Sequence, residues 1–430
     1  MFLDTGIKTE CFGCEACQQI CPKQAITMQE DKEGFRYPVI DETVCIHCNL
    51  CRKTCPHAAM PEKHRNNKYA FGGYSKNPTT RFESTSGGAF SAVVEAFCDK
   101  DYVIFGAEAK GLLVFHSYIT DKRDLWKLRK SKYSQSIIGG SYKKAKKFLS
   151  EGKKVLFSGT PCQIAGLYAY LMAVSFHSLE KLLTVEVVCE GVPSPLYVRK
   201  MDDAMETQYG SRIESLDYRY KGRSLFGHGK WDFQVMKSDI SRGGGYSGKW
   251  DFEIMRIQLM NKNILLKDRW FNPFWSIWLN HLMSRPSCYK CPFAEQGRTA
   301  DITLGDLWGV HLYCPELYGK NGGSSLAVGN TEKGTKVLKA AEQYMYGHEL
   351  AFEVALKYQS PMRKHIDDNP LREAFMSDLE SDMSFTEINR KWAKRPTVKL
   401  LWQKYVWGNR QKVALWNLKQ RFMNGDRRNA

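Results

Sequence analysis

The sequence predicts an α+β protein in three parts, and three observations predict it. Eight cysteines fall before residue 60 in two copies of one spacing. Short apolar segments of strand type then alternate with helical ones as far as about residue 335. Beyond Gly334 the chain reads helical and becomes strongly basic. The expected parts are a cysteine-rich unit over residues 1–62, a mixed α/β body over 63–335 and a basic helical extension over 336–430. A chain of 430 residues with 43% hydrophobic content has enough apolar side chains for packed cores, and its length suggests two or three domains.

The first part is defined by chemistry. Cys11-x2-Cys14-x2-Cys17-x3-Cys21-Pro22 recurs as Cys45-x2-Cys48-x2-Cys51-x3-Cys55-Pro56. Three thiolates at two-residue gaps wrap one corner of a cubane, and the cysteine before proline reaches the neighbouring cluster, the spacing known from bacterial two-cluster ferredoxins. The assignment is crossed. Cys11, Cys14, Cys17 and Cys55 hold one [4Fe–4S] cluster; Cys45, Cys48, Cys51 and Cys21 hold the other. Paired zinc knuckles are the alternative, but they use two CxxC pairs across a longer spacer. The connector Ile26 to Asp41, with Gly34 and Pro38, reads as a hairpin, and a polar linker spans 61–68.

In the body, Ser86-Gly87-Gly88 opens a helix from Ala89 to Cys98. Tyr102 to Gly106 and Leu112 to Ile119 read as strands, Lys143 to Leu149 as a helix stopped by Gly152. Lys154 to Ser158 is a strand running into Gly159-Thr160-Pro161-Cys162-Gln163, and Leu182 to Cys189 is another. Gly305-Asp306-Leu-Trp308-Gly309 follows a strand from Asp301 to Leu304. The two Gly-rich segments are either phosphate cradles or plain turns; neither has a complete nucleotide fingerprint. Gly229 to Met236 recurs as Gly248 to Met255 and suggests a hairpin-like pair of strands.

Four of the remaining cysteines sit in distinctive settings: Cys162 and Cys189 at strand ends, Cys288 and Cys291 in a CxxC. They suit a third [4Fe–4S] cluster, or they are small buried residues. Cys98, on an apolar helical face, and Cys314, in a loop, read as structural. His116 and His228 are available for acid–base work, although a lone histidine is more often structural.

The net charge of +17 is concentrated in the tail, where residues 389–430 carry twelve Lys and Arg against one acid, Asp426. The expected last helix follows Pro396 and breaks near Gly408, with Leu401, Trp402, Tyr405, Val413, Trp416 and Phe422 among its basic residues. It reads as a helical cap on the core, a membrane-surface contact or a dock for an acidic partner. The start of the chain has no basic-then-apolar leader, and no apolar run reaches the length of a spanning helix. The expected location is the cytoplasm, with peripheral contact at the inner membrane face possible through the tail. No recognised nucleic-acid motif is present, so a nucleic-acid partner is not expected.

Several segments together resemble the beta subunit of coenzyme F-420 hydrogenases and dehydrogenases and its relative 7-hydroxymethyl chlorophyll a reductase. The resemblance rests on Ser86 to Ser91, Gly159 to Leu167, Cys189 to Pro195, Cys288 to Ala294, Asp301 to Gly309 and Gly323 to Thr331, in the family's order. It implies an iron–sulfur flavoprotein with FAD, and it favours Cys162, Cys189, Cys288 and Cys291 as ligands of a third cluster. It also implies Ser86, Gly87, Gly88 and Thr160 as flavin contacts. The family often has histidine where this chain has Glu190. The implied activity is electron passage between [4Fe–4S] clusters and FAD, reducing or oxidising an organic substrate or a deazaflavin or nicotinamide-type carrier. Some relatives lie among genes for surface-polysaccharide synthesis. The rival expectation is an electron-transfer subunit of a larger hydrogenase or dehydrogenase complex without its own substrate site. The implied partners are a small-molecule substrate and an electron donor or acceptor protein or reduced carrier.

Overall fold

A computed structural model describes residues 1–66, 68–221, 254–318 and 322–399, with scattered positions between 402 and 419. The cysteine-rich unit is built around one hairpin, β1 (Ile26–Glu30) and β2 (Arg36–Ile40), paired antiparallel from Ile26↔Ile40 to Glu30↔Arg36. Gly34 closes it with φ +87, a backbone region open mainly to glycine. A short helix carries the third cysteine of each motif: Ala16–Ile20 holds Cys17 and Leu50–Lys53 holds Cys51.

The body is organised by an eight-stranded sheet. Its strands are β3 (Tyr69–Ser75), β4 (Tyr102–Lys110), β5 (Leu113–Ile119), β6 (Lys154–Gly159), β7 (Leu182–Val187), then β11 (Ile302–Asp306), β12 (Ser325–Gly329) and β13 (Met345–Leu350). The order is β13-β3-β12-β11-β7-β6-β4-β5. The central four, β11, β7, β6 and β4, are mutually parallel; both wings are antiparallel. Parallel strands are covered on both faces, which is why they read as unbroken apolar runs. Ile104, Leu156, Leu183 and Val185 pack with the helices Ala89–Phe97 and Glu332–Ala341. Val103, Phe105, Val155 and Phe157 point the other way, to the helices Ser141–Ser150 and Pro161–Ala173. Each such side chain, fully buried, contributes about 1.5–3 kcal/mol.

Cys14, Ala16 and Ile20 of the small unit enter the second of these cores directly. Polar contacts lock the junction: Glu15 accepts from Gly139 N–H at 2.8 Å and Gln19 from Tyr142 N–H at 3.0 Å. Arg372 pairs with Glu33 at 2.6 Å. The unit shares a core with the body.

A second layer holds β8 (Ile213–Tyr220), β9 (Ile254–Leu259) and β10 (Ile264–Asp268) in the order β10-β9-β8. Its core takes Tyr197, Phe274, Trp275, Trp278, Phe375 and Ile388 from four surrounding helices. The expected hairpin of residues 229–236 and 248–255 lies outside the described residues, apart from Ile254 and Met255 at the start of β9.

The expectation of continuous helix after Gly334 needs correction. Helices occur at Phe352–Lys357, Arg372–Glu380 and Phe385–Trp392, the last opened by the Ser384/Glu387 capping box. Ahead of them, however, β13 completes the large sheet by pairing with β3, with Gly347 opposite Gly73. Four of its six residues are exposed, so no alternating pattern marks it as a strand. A Cβ on Gly347 would approach Gly72 O to 2.1 Å, so the pairing depends on glycine. The 336–430 segment therefore contributes to the sheet. The last helix lies mostly outside the described residues.

Candidate functional site

The two cysteine loops repeat one backbone path. Gly13 and Glu15 have φ +66 and +59; His47 and Asn49, the equivalent positions of the second loop, have +50 and +60. Left-handed backbone at non-glycine residues is strained and concentrates at functional sites. Here it turns each loop sharply between its cysteines. The thiol of Cys14 has Cys55, Cys17 and Cys11 as its charged neighbours, and that of Cys51 has Cys48 and Cys21. Each set thus draws its fourth member from the other motif. Cys45 lies beside His47, with Sγ 3.9 Å from Nδ1. Burial pushes the Cys14 and Cys17 thiols well up; iron offsets such a cost by binding the thiolate outright. The first set faces the body, whereas Cys48 is exposed, flanked by exposed Val44 and Ile46.

Cys162, Cys189, Cys288 and Cys291 line one cleft. Adjacent parallel strands explain the first two. β6 pairs with β7 at Gly159↔Glu186, and the chain beyond each strand carries its cysteine to the same edge. Cys162 sits in the first turn of the helix Pro161–Ala173, where N–H groups and the helix dipole favour a thiolate. Thr160 caps that helix, and its Oγ1 is 3.2 Å from Cys162 Sγ. Cys189 has Cys288, Cys162 and Cys291 as charged neighbours, and burial raises the thiol. Cys288 is pushed up to about 11 and Cys291 to about 12, chiefly by burial. The buried pair Arg298–Glu186 ties the CxxC loop to β7, with Arg298 also donating to Phe293 O at 2.7 Å. Glu190 lines the same cleft.

Arg285 joins the two regions. It is 1% exposed. Its guanidinium donates to Cys11 O at 2.9 Å, Gln135 Oε1 at 3.0 Å and Arg36 O at 3.0 Å, with Nη2 3.5 Å from Cys11 Sγ. Its charged neighbours include both Cys11 and Cys288. Gly13 is required beneath it, because a Cβ there would meet Gln135 Nε2 at 2.7 Å and Arg285 Nη1 at 2.9 Å.

Ser86, Gly87 and Gly88 lie at the end of the sheet where β12 begins. Ser86 Oγ donates to Ser324 O at 2.6 Å, and Gly87 N–H donates to Ser325 Oγ at 2.9 Å. A Cβ on Gly87 would meet Gly73 O at 2.5 Å. The turn is thus held by β3 and β12, and Gly88 (φ +93) caps the helix Ala89–Phe97. Around it gather cations that sequence reasoning missed. Lys221 donates to the carbonyls of Arg81, Ser86 and Gly322, and burial drives its pKa well below the usual lysine value. Arg81 is lowered to about 10, again by burial. Arg129 donates to Ser91 Oγ at 3.1 Å. Asp306, in the second Gly-rich segment, pairs with Arg219 at 2.5 Å.

His116 is structural in its contacts: Ser136 Oγ is 2.8 Å from Nδ1, and Nε2–H donates to Ser158 O at 2.9 Å. His228 lies outside the described residues. Cys98 is buried against the sheet. No helix among the described residues is long and apolar enough to cross a membrane.

Residues 152–351 match the family model for the C terminus of the coenzyme F420 hydrogenase/dehydrogenase beta subunit. Residues 10–59 match the 4Fe-4S dicluster domain. No curated protein matches the chain. Among solved structures, a chain of the xenon-derivatised F420-reducing [NiFe] hydrogenase complex from Methanosarcina barkeri is similar at 16% identity and TM-score 0.43. The alignment covers 77% of this chain and 94% of that one.

Proposed function

We propose, for a chain whose residues 152–351 belong to the coenzyme F420 hydrogenase/dehydrogenase beta-subunit family and whose front is a 4Fe-4S dicluster domain, an iron–sulfur flavoprotein oxidoreductase. Electrons pass between the N-terminal [4Fe–4S] pair and a reducible organic substrate or a deazaflavin or nicotinamide-type carrier. The observation that supports this most is the convergence of Cys162, Cys189, Cys288 and Cys291 in one cleft joined to Cys11 through Arg285. Four thiols from three separated segments are a ligand set for a third [4Fe–4S] cluster.

The donor set fits the implied cofactors. The exposed Cys48 loop offers a redox partner the outer end of the chain of thiols; the Cys11 set and then the cleft set continue inward. At the Ser86–Gly88 turn, the helix N-terminus and the Arg81 and Arg129 guanidinium groups suit the phosphates of a dinucleotide. FAD bound there would supply exchange between two-electron and one-electron chemistry. Lys221 holds the turn in shape through its three carbonyl contacts. Thr160 orients the turn carrying Cys162. Surface-polysaccharide synthesis is one setting in which a sugar-directed reductase of this kind would act.

Anaerobic purification with reconstitution tests the reading. The wild-type chain is expected to hold about twelve irons, four per cubane, together with FAD. Cys162→Ser and Cys288→Ser are each expected to lose about four irons while the N-terminal clusters remain. Absence of flavin removes the flavoprotein assignment, and zinc in place of iron removes the redox one.

A further inference from the structure

Cys314, Glu316 and His348 bring a thiol, a carboxylate and an imidazole to one point at the outer wing of the large sheet. None belongs to the cysteine sets described above. Cys314 follows the short helix Val310–Tyr313, Glu316 lies in the turn Pro315–Leu317, and His348 projects from β13. Their donor atoms all lie within 4.8 Å of one another. Cys314 Sγ is 3.1 Å from Glu316 Oε1 and 3.3 Å from His348 Nε2, and Nε2 is 2.7 Å from Oε1.

We propose that Cys314, Glu316 and His348 form a zinc site whose fourth position is taken by water. Tetrahedral zinc, with bonds of about 2.3 Å to sulfur and about 2.0 Å to nitrogen or oxygen, separates S from N or O by about 3.5 Å and N from O by about 3.3 Å. The three donors need to spread by only about 0.2–0.6 Å to meet that geometry. The mixed S, N and O set suits zinc and not magnesium or calcium, which take oxygen.

The surroundings of the histidine point the same way. His348 Nδ1 lies 2.9 Å from Glu349 O. A carbonyl only accepts, so Nδ1 carries a proton, and Nε2 is the nitrogen turned to the thiol and the carboxylate. A backbone carbonyl behind the imidazole is the usual outer-shell support of a metal-ligating histidine. The Cys314 thiol donates to Glu316 Oε1 and the imidazole pairs with the same oxygen; a zinc ion would replace the protons between them and draw all three donor atoms to one centre. Cys314 is fully buried, while the side chains of Glu316 and His348 are half-exposed, which leaves an approach for water. The ion would clamp β13 to the loop after β11 and so hold the edge strand in place.

The test uses the full chain with its iron–sulfur clusters in place, so that their cysteines are occupied. After anaerobic incubation with zinc sulfate and desalting, the wild type is expected to retain about one zinc per chain. Zinc-edge X-ray absorption should show one sulfur and three nitrogen or oxygen neighbours. His348→Ala and Cys314→Ser are each expected to weaken zinc retention at least tenfold, with iron content and visible absorbance unchanged. Glu316→Gln, at an exposed side chain, gives a variant whose fold is not at risk and should also weaken retention. Zinc retained equally by the wild type and the variants overturns the proposal. So does a sulfur-only zinc spectrum, or no retention by the wild type.

Discussion

Replacing Arg285 with glutamine removes a buried positive charge from beside Cys11 while keeping a hydrogen-bond donor. The nearest approach, Nη2 to Cys11 Sγ, is 3.5 Å. A unit charge at that distance interacts by about 5 kcal/mol at an effective dielectric of about 20. Charge on a cubane is shared among its thiolates, so about a quarter of that acts on one-electron reduction, roughly 1.2 kcal/mol or about 50 mV. Losing a positive charge makes reduction harder. One N-terminal cluster is therefore expected to shift about 50 mV negative, read by redox titration followed by electron paramagnetic resonance. Arg285→Lys keeps the charge and should recover most of the shift, although it cannot reach Cys11 O, Gln135 and Arg36 together. The glutamine variant also loses charge-assisted hydrogen bonds, so a stability loss of about 3–5 kcal/mol is expected. Full iron content with unchanged potentials in Arg285→Gln would refute the electrostatic role assigned to this residue.

Three further outcomes follow from the same contacts. His116 is buried and its pKa is lowered to about 4 from the usual 6.5. The unfolded chain therefore takes up a proton that the folded chain refuses, and stability falls as pH drops from 6.5 towards 4, by about 3 kcal/mol in total. His116→Gln should flatten the difference between urea midpoints measured at pH 7 and pH 4.5; an undiminished difference counts against this assignment. Lys221→Met should lower the flavin-to-protein ratio at least tenfold without loss of iron, and an unchanged ratio would show that the Ser86–Gly88 turn keeps its shape without the lysine. A chain ended at residue 335 lacks β13 and exposes the edge of β3, so it is expected to aggregate in size-exclusion chromatography. A chain ended at residue 395 keeps that strand and is expected to run as a discrete species.

How much of this could be read from the sequence depended on whether the signal was local. The N-terminal cysteines were legible because their ligand spacing is contained in two short runs. Cys288 and Cys291 were half-legible as a CxxC. Cys162 and Cys189 were marked only as strand-end cysteines, and nothing in the sequence says that β6 and β7 are neighbours in parallel register. The core strands were legible as short apolar runs, though not their parallel pairing; β13 was not, because an edge strand with four exposed residues carries no period. Arg285 and Lys221 gave no signal at all, since both act on backbone carbonyls far away in the chain. His348 was hidden for the same reason. It meets Cys314 and Glu316 only because β13 crosses back to pair with β3, which pairs with β12.

The strand ends show where the missing information lies. Thr160 follows β6, Cys189 follows β7, Asp306 ends β11, and Gly87 touches Ser325 where antiparallel β12 begins. All four lie at the carboxyl edge of the parallel core, where open α/β sheets bind their ligands. Residue type names the chemistry each segment offers, but strand order decides which segments share an edge. The proposed electron transfer and flavin binding would depend on that sharing. The cleft cysteines and the Ser86–Gly88 turn are therefore brought to one edge by sheet topology, which no single motif contains.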